Sequence, residues 1–170
     1  MRPSKDKYYL NIAEQVAQRS TCFRVKIGAV IVRGDQIVST GYVGAPRKTK
    51  DCFERGNCLR DTLNIPHGQR YELCRSIHAE QNALINAARA GVSIFGGNMY
   101  IYGEDKEGKM IDVLPCFICK KMIINSGIEN VICSRKDESL IAFKVEEWIS
   151  DWKEKDIIDD KYQYGKHEEK

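Results

Sequence analysis

The stretch His78-Ala79-Glu80-Gln81-Asn82-Ala83 begins a segment, residues 78–90, in which apolar side chains recur at helical spacing and which Gly91 is placed to end. A second stretch, Pro115-Cys116-Phe117-Ile118-Cys119, begins a similar segment that stops before Gly127. Proline is tolerated in the first turn of a helix, where its missing N–H has no partner to lose. Each stretch therefore places chemically active side chains at the amino-terminal end of a predicted helix.

The residues around these two helices predict a mixed α/β sheet. Further helices are predicted over residues 6–19 and 146–158, and strands over residues 27–32, 37–42, 98–102, 131–133 and 140–145. The first two strands flank a tight turn and should form a β-hairpin. Only about seven polar residues separate the last two strands, fewer than a helical parallel crossover needs, so that pair should be antiparallel. We expect about five strands with helices packed on them.

Length and composition favour one intracellular domain. The chain has 170 residues, of which 42% are hydrophobic and 30% charged, so residues 1–170 should form a single domain with a polar tail over residues 159–170. No apolar stretch approaches the roughly 18 residues of a membrane span, and residues 1–7 lack the apolar part of a signal peptide. The net charge of +3 is too small to indicate a nucleic-acid partner. We therefore expect a cytoplasmic protein.

One histidine and two cysteines supply three zinc ligands and leave a fourth position open, as in catalytic rather than structural zinc sites. The three ligands are His78, Cys116 and Cys119. Zinc lowers the pKa of a bound water, which then becomes a nucleophile near neutral pH. Glu80 lies two residues from His78 and is placed to carry a proton from that water to a substrate nitrogen. This chemistry predicts the hydrolytic removal of an amine.

A second set of metal-binding residues lies in the segment 44–75, which has no sustained hydrophobic period. A loop of this length needs something to order it. Cys52, Cys58, His67 and Cys74 would make a closed tetrahedral set that contributes folding energy. The alternatives are free buried thiols or a ligand set that includes Cys22.

The two helical stretches together resemble the cytidine deaminase superfamily, in which His-x-Glu is followed by Pro-Cys-x-x-Cys. Within it, the chain is similar to the deoxycytidylate (dCMP) deaminase branch. The similarity covers roughly two thirds of the chain and includes three further stretches. They are Arg19–Cys22, Ile27–Val32 and Ser39–Pro46.

The resemblance implies a three-layer sandwich and a reaction in which zinc-activated water attacks C4 of dCMP, giving dUMP and ammonia. It also implies a nucleotide substrate and a homo-oligomer. Inserts with Cys, Cys, His and Cys just before His-Ala-Glu occur in bacterial and archaeal members, which supports a second zinc. In some phage relatives, the position of Cys22 is used for that zinc.

Five residues are candidates for substrate contact. Arg24, Lys26 and Arg47 flank the strands and the loop expected near the pocket, and arginine binds phosphate through two parallel hydrogen bonds. Tyr42 would pack against the base or fill the core. Val43 stands where many members of the branch have asparagine, so contacts to sugar or phosphate should differ there.

Two other interpretations stay open. The first is a deaminase of the same superfamily that acts on cytidine, tRNA adenosine, guanine or a riboflavin precursor. The second is a zinc-stabilised binding module without catalysis, against which the presence of Glu80 argues, because neither zinc nor fold requires that carboxylate.

Overall fold

The computed structural model describes residues 2–66 and 68–157. Within these ranges the helices are α1 (Lys5–Ala17), α2 (Cys52–Arg55), α3 (Leu59–Thr62), α4 (Ala79–Ala90), α5 (Phe117–Ser126) and α6 (Val145–Glu154). The strands are β1 (Val25–Arg33), β2 (Gln36–Tyr42), β3 (Asn98–Asp105), β4 (Asn130–Ser134) and β5 (Leu140–Lys144). The predicted tail over residues 159–170 lies outside the described ranges.

The five strands form one mixed sheet in the order β2-β1-β3-β4-β5. β1 and β2 make the predicted hairpin, β3 and β4 are parallel with α5 between them, and β5 runs antiparallel to β4. The antiparallel direction of β5 confirms the expectation from its short connection. The mixed α/β class with about five strands is likewise confirmed.

Alternating side chains of the strands divide the core between the two faces of the sheet. On one face Val30, Val32 and Tyr100 pack against α1. On the other, Ala29, Ile31, Met99 and Ile101 pack with the residues of α4, α5 and α6, including Ala83, Ile123 and Trp148. The result is the predicted three-layer arrangement. No helix of the described ranges has the length and apolarity that crossing a bilayer would require.

Helix α4 lies directly on β2 because Gly41 has no side chain to separate them. A Cβ added at Gly41 would lie 2.2 Å from the amide nitrogen of Ala83 and 2.4 Å from the carbonyl oxygen of Ala79. Side-chain hydrogen bonds hold the contact, with Asn86 Nδ2 donating to Thr40 O at 2.7 Å and Ser39 Oγ to Ala83 O at 2.6 Å. The position of α4 is therefore set by main-chain contact with the sheet.

Candidate active site

Three side chains from two helix starts converge at one point. His78 Nδ1 lies 3.5 Å from Cys116 Sγ and 3.4 Å from Cys119 Sγ. With usual Zn–S and Zn–N bond lengths, the nitrogen-to-sulfur edge of a zinc tetrahedron is about 3.5 Å. Among the described residues, this is the one group of three or more His, Cys, Asp or Glu ligand atoms that all lie within 4.8 Å of one another. The donor set and its spacing fit a zinc ion.

Both ligand groups lie at amino-terminal helix ends. His78 is the N-cap of α4, and Cys116 is the N-cap of α5. The backbone N–H of His78 donates to Gln81 Oε1 at 3.0 Å, which completes the capping of α4. Helix starts carry partial positive charge and favour the thiolate form of cysteine. Hydrogen bonding from Cys119 and the nearby His78 hold the pKa of Cys116 below its usual value.

Glu80 lies in the first turn of α4 and is 5% exposed. It is outside the group of metal-binding atoms but lines the same cavity as His78 and Cys116. Burial raises the pKa of its carboxyl, while the charge of His78 acts in the opposite direction. A carboxyl in this position can accept and return a proton within the cavity without occupying the metal.

Of the five predicted substrate contacts, Arg24 and Val43 line this cavity. Val43 is buried, and its backbone N–H donates to Ile27 O at 3.0 Å. The guanidinium of Arg24 is engaged by Asp61, with Nε 2.9 Å from Oδ1. Arg24 therefore lies on the cavity wall with its charge already balanced.

Lys26, Tyr42 and Arg47 are not among the residues that line this cavity, and their contact with the substrate stays a prediction. Lys26 lies between two wall residues of β1, so the strand alternation turns it to the opposite face, where Nζ lies 2.8 Å from Glu104 Oε1. Tyr42 is 36% exposed at the end of β2. Arg47 Nη2 donates to Asn86 Oδ1 of α4 at 2.7 Å.

The cysteines predicted for a second zinc lie near one another without meeting. Cys58 and Cys74 line the cavity together with Cys22, and Cys52 is buried. Burial raises the pKa of the Cys52 and Cys22 thiols, and neighbouring cysteines, Cys74 among them in both cases, act in the same direction. Their sulfur atoms do not form a group within 4.8 Å among the described residues, and the fourth predicted ligand, His67, lies outside those residues.

Three further residues line the wall without having been predicted from the sequence, and they are Arg60, Tyr71 and Ser76. All three lie in or next to the segment 44–75, where no hydrophobic period indicates which side chains turn inward. Tyr71 packs edge-on against His78, with ring centroids 4.9 Å apart. The guanidinium carbon of Arg60 lies over the Tyr71 ring, 5.0 Å from its centroid.

Comparison with known proteins places this geometry in a family. A sequence profile for the "Cytidine and deoxycytidylate deaminase zinc-binding region" matches residues 3–135. The chain is 38% identical over 148 residues to a deoxycytidylate deaminase of Saccharomyces cerevisiae, covering 85% of this chain and 42% of that protein. It is 36% identical over 136 residues to the deoxycytidylate deaminase of Mycobacterium phage D29, covering 77% of this chain and 94% of the phage protein.

A solved structure agrees with the sequence comparison. The dCMP deaminase of cyanophage S-TIM5, crystallised with dCMP and dUMP, superposes with a TM-score of 0.57 at 27% identity, covering 79% of this chain and 84% of that one. The chain spans about two fifths of the length of its relatives from Saccharomyces cerevisiae and Schizosaccharomyces pombe, 42% and 37% respectively. The profile match over most of the chain and the converging His78, Cys116 and Cys119 lead to one conclusion: the chain belongs to the cytidine and deoxycytidylate deaminase family.

Proposed function

We propose that the chain catalyses the hydrolytic deamination of dCMP, in which dCMP and water give dUMP and ammonia. The observation that carries this proposal is the convergence of His78, Cys116 and Cys119 beside a cavity that also contains Glu80. Relatives from yeast and phage named deoxycytidylate deaminase, and a related structure that contains dCMP and dUMP, support dCMP as the substrate.

The residues divide the work between binding a metal and moving protons. When bound by His78, Cys116 and Cys119, zinc supplies a Lewis acid that lowers the pKa of a water at its open position. Glu80 accepts the proton of the attacking water and donates it to N3 of the pyrimidine ring. It then takes the second proton from the hydroxyl now on C4 and passes it to the amine as the C4–N bond breaks, so ammonia leaves and the carboxylate ends the cycle as it began. The raised pKa of the buried carboxyl favours this return of the proton.

The cavity supports the exclusion of bulk water from these transfers. Glu80 is 5% exposed and Cys116 is 4% exposed, so charges in the cavity interact through little solvent. Electrostatic interactions are stronger in such surroundings than in water. Val43 adds an apolar surface to the cavity wall.

Activity against a panel of amine-bearing compounds tests the proposal. The zinc-loaded protein is assayed for ammonia release from dCMP, CMP, deoxycytidine, cytidine, guanine, a riboflavin precursor and a tRNA anticodon stem. We expect dCMP to have the highest kcat/KM. A higher kcat/KM for another compound would show that this compound, and not dCMP, is the substrate. No turnover of any compound would favour the non-catalytic binding module.

Glu80→Gln tests the proton transfer. Because Glu80 is not one of the converging ligand atoms, the variant should keep its zinc while kcat falls by at least about 100-fold, as for loss of a general acid–base group. Glu107→Gln is a matched control, since this carboxylate is exposed in the loop after β3. A Glu80→Gln variant that keeps zinc and wild-type kcat would contradict the assigned role.

We also propose a second, structural zinc held by thiols of the segment 44–75. Support comes from the four clustered thiols of Cys22, Cys52, Cys58 and Cys74, none of which forms a disulfide. The fourth ligand is then His67, as the sequence pattern predicts, or Cys22. A closed set of thiolate and imidazole ligands would order a segment whose described residues form only short helices.

Metal analysis of three variants separates these possibilities. Cys58→Ser should lose one zinc per chain and lower Tm, because Cys58 belongs to either ligand set. Cys22→Ser and His67→Ala should differ in zinc content, and the variant that loses one zinc per chain identifies the fourth ligand. An unchanged zinc content in Cys58→Ser would remove the second site.

We infer further that residues 1–170 act as one domain of a homo-oligomer in the cytoplasm. Support for a reducing compartment comes from the seven cysteines, all free. Support for subunit contact comes from large apolar side chains at the surface, among them Phe95 at 74% exposed and Ile118 at 45%. Light scattering of the purified protein tests the assembly, and a monomer at micromolar concentration would contradict it.

A further inference from the structure

Arg60 is a buried arginine on the wall of the active-site cavity. It belongs to α3 and is 5% exposed. Its Nη2 donates to Pro66 O at 2.9 Å, and its Nε has no hydrogen-bond partner among the described residues. Since guanidinium is charged at all relevant pH values, Arg60 carries a full positive charge into the cavity with part of its donor set unused.

Of the other charged side chains of the wall, Arg24 and Asp112 have partners of their own, and Glu80 is assigned to proton transfer beside His78. Arg24 is paired with Asp61, and Asp112 is paired with Arg135, whose Nε lies 3.3 Å from Asp112 Oδ1. Within the described part of the chain, no carboxylate oxygen lies within 4.0 Å of the Arg60 guanidinium. A buried charge without a counter-charge is costly, which points to an anion that enters with a ligand.

A second unused donor faces the same cavity. Ser76 is 8% exposed, and its hydroxyl has no hydrogen-bond partner among the described residues. Ser76 lies two residues before His78, on the segment that enters α4. A hydroxyl and a guanidinium on one wall are a donor pair suited to the oxygens of a phosphate.

The position of Arg60 matches one end of a mononucleotide. Arg60 stacks on Tyr71 at 5.0 Å, and Tyr71 packs against His78 at 4.9 Å, so the guanidinium carbon lies no more than about 10 Å from the centre of the His78 ring. Because this is an upper limit, Arg60 is close enough to His78 for one mononucleotide to reach both, with its base next to His78 and Glu80 and its 5′-phosphate at Arg60. The stacked tyrosine also limits the rotation of Arg60, which reduces the entropy lost on binding.

We propose that Arg60, with Ser76 beside it, binds the 5′-phosphate of the substrate and thereby makes the enzyme select a nucleoside monophosphate over the free nucleoside. This inference rests on the proposed function. It assigns to the segment 44–75 the recognition of phosphate, while α4 and α5 carry the chemistry.

The test compares dCMP with deoxycytidine in Arg60→Met and in the matched control Arg55→Met. Arg55 is an exposed arginine of the same segment. Loss of charged hydrogen bonds to phosphate should lower kcat/KM for dCMP by about 10- to 100-fold. The value for deoxycytidine should stay unchanged, and Arg55→Met should match the wild type with both substrates.

A binding measurement gives a readout that does not depend on turnover. Calorimetry with the product dUMP and with deoxyuridine should show weaker dUMP binding in Arg60→Met and equal deoxyuridine binding. Arg60→Lys keeps the charge without the planar fork and should fall between wild type and Arg60→Met. It also serves as the test variant if Arg60→Met does not fold.

The outcomes separate this inference from the proposed function. If the wild type deaminates dCMP but the ratio of dCMP to deoxycytidine turnover is the same in the Arg60 variants, Arg60 has only a structural role and the inference is wrong. If the wild type deaminates neither compound and dUMP binding is the same in all variants, both are wrong. A fall in the ratio together with weaker dUMP binding supports the assignment.

Discussion

Substituting Gly41 by alanine should separate the two halves of the metal site while leaving every ligand in place. The new Cβ would lie 2.2 Å from Ala83 N and 2.4 Å from Ala79 O, both in the backbone of α4. Ordinary contact requires about 3.5 Å, so α4 must move away from β2 by about 1 Å. His78 would move with α4, whereas Cys116 and Cys119 belong to α5.

The size of the effect follows from this displacement. The separations of 3.5 Å and 3.4 Å between His78 Nδ1 and the two sulfur atoms would change by a large fraction of a bond length. A misplacement of about 1 Å can lower the rate about 100-fold. Overpacking should also lower the free energy of unfolding by about 1–3 kcal/mol.

Gly28→Ala provides the control, because it makes an equal overlap on the opposite face of the sheet. Its Cβ would lie 2.2 Å from Ala13 O and 2.5 Å from Ala17 N, in α1. Both variants should unfold at lower urea concentration, but only Gly41→Ala should lose zinc affinity and kcat/KM for dCMP per folded molecule. Equal kcat/KM and equal zinc content in the two folded variants would refute the argument that main-chain contact positions His78.

The remaining predictions concern stability and metal. Burial acts to raise the pKa of Glu104, but hydrogen bonds from Lys26 and Gln18 outweigh it and hold the pKa below its usual value. The ionised carboxylate therefore stabilises the folded state at neutral pH, and this stabilisation is lost as pH falls and the carboxylate is protonated. Lys26→Met should therefore lower the free energy of unfolding by about 1–2 kcal/mol at pH 7, with a smaller difference from wild type in urea titrations below about pH 4. A difference that is constant with pH would argue against the pair. Cys133 is 0% exposed and burial raises the pKa of its thiol, so it should resist alkylation in the native protein. Cys133→Ser should lower the free energy of unfolding by about 1–3 kcal/mol, because it buries a hydroxyl. Rapid labelling of Cys133 at pH 8, read by mass spectrometry, would contradict its burial. Removal of zinc by a chelator should lower Tm and expose the Cys116 thiol to alkylation, and protection of that thiol in the metal-free protein would contradict its role as a ligand.

Periodic segments could be predicted because their local pattern and their tertiary contacts agree. The bounds of α4 and α5 follow from helical spacing and from Gly91 and Gly127, which end them with φ of 66° and 76°. The direction of β5 follows from a connection too short for a parallel crossover. These features depend on chain geometry within a few residues.

The cavity wall was less predictable because it depends on which face a side chain joins. The position of Lys26 in the chain predicts that it lies near the substrate, whereas in the structure its neighbours Val25 and Ile27 line the cavity and Lys26 faces Glu104. Arg60 lies in a segment with no period, and its inward direction depends on its stacking with Tyr71. Such contacts between irregular segments leave no repeating signal in the sequence.

The backbone bridge between Gly44 and Ile77 lets the segment between them vary in length and sequence without changing the rest of the domain. The backbone N–H of Gly44 donates to Ile77 O at 3.2 Å and that of Ile77 to Gly44 O at 2.8 Å, immediately before His78. The two ends of the insertion, residues 45–76, are thus joined by backbone hydrogen bonds. Lengthening an insertion between such fixed ends adds little to the entropy cost of closing the loop. Replacing this insertion by another one between Gly44 and Ile77 is a route to new ligand preferences that leaves the starts of α4 and α5 unchanged.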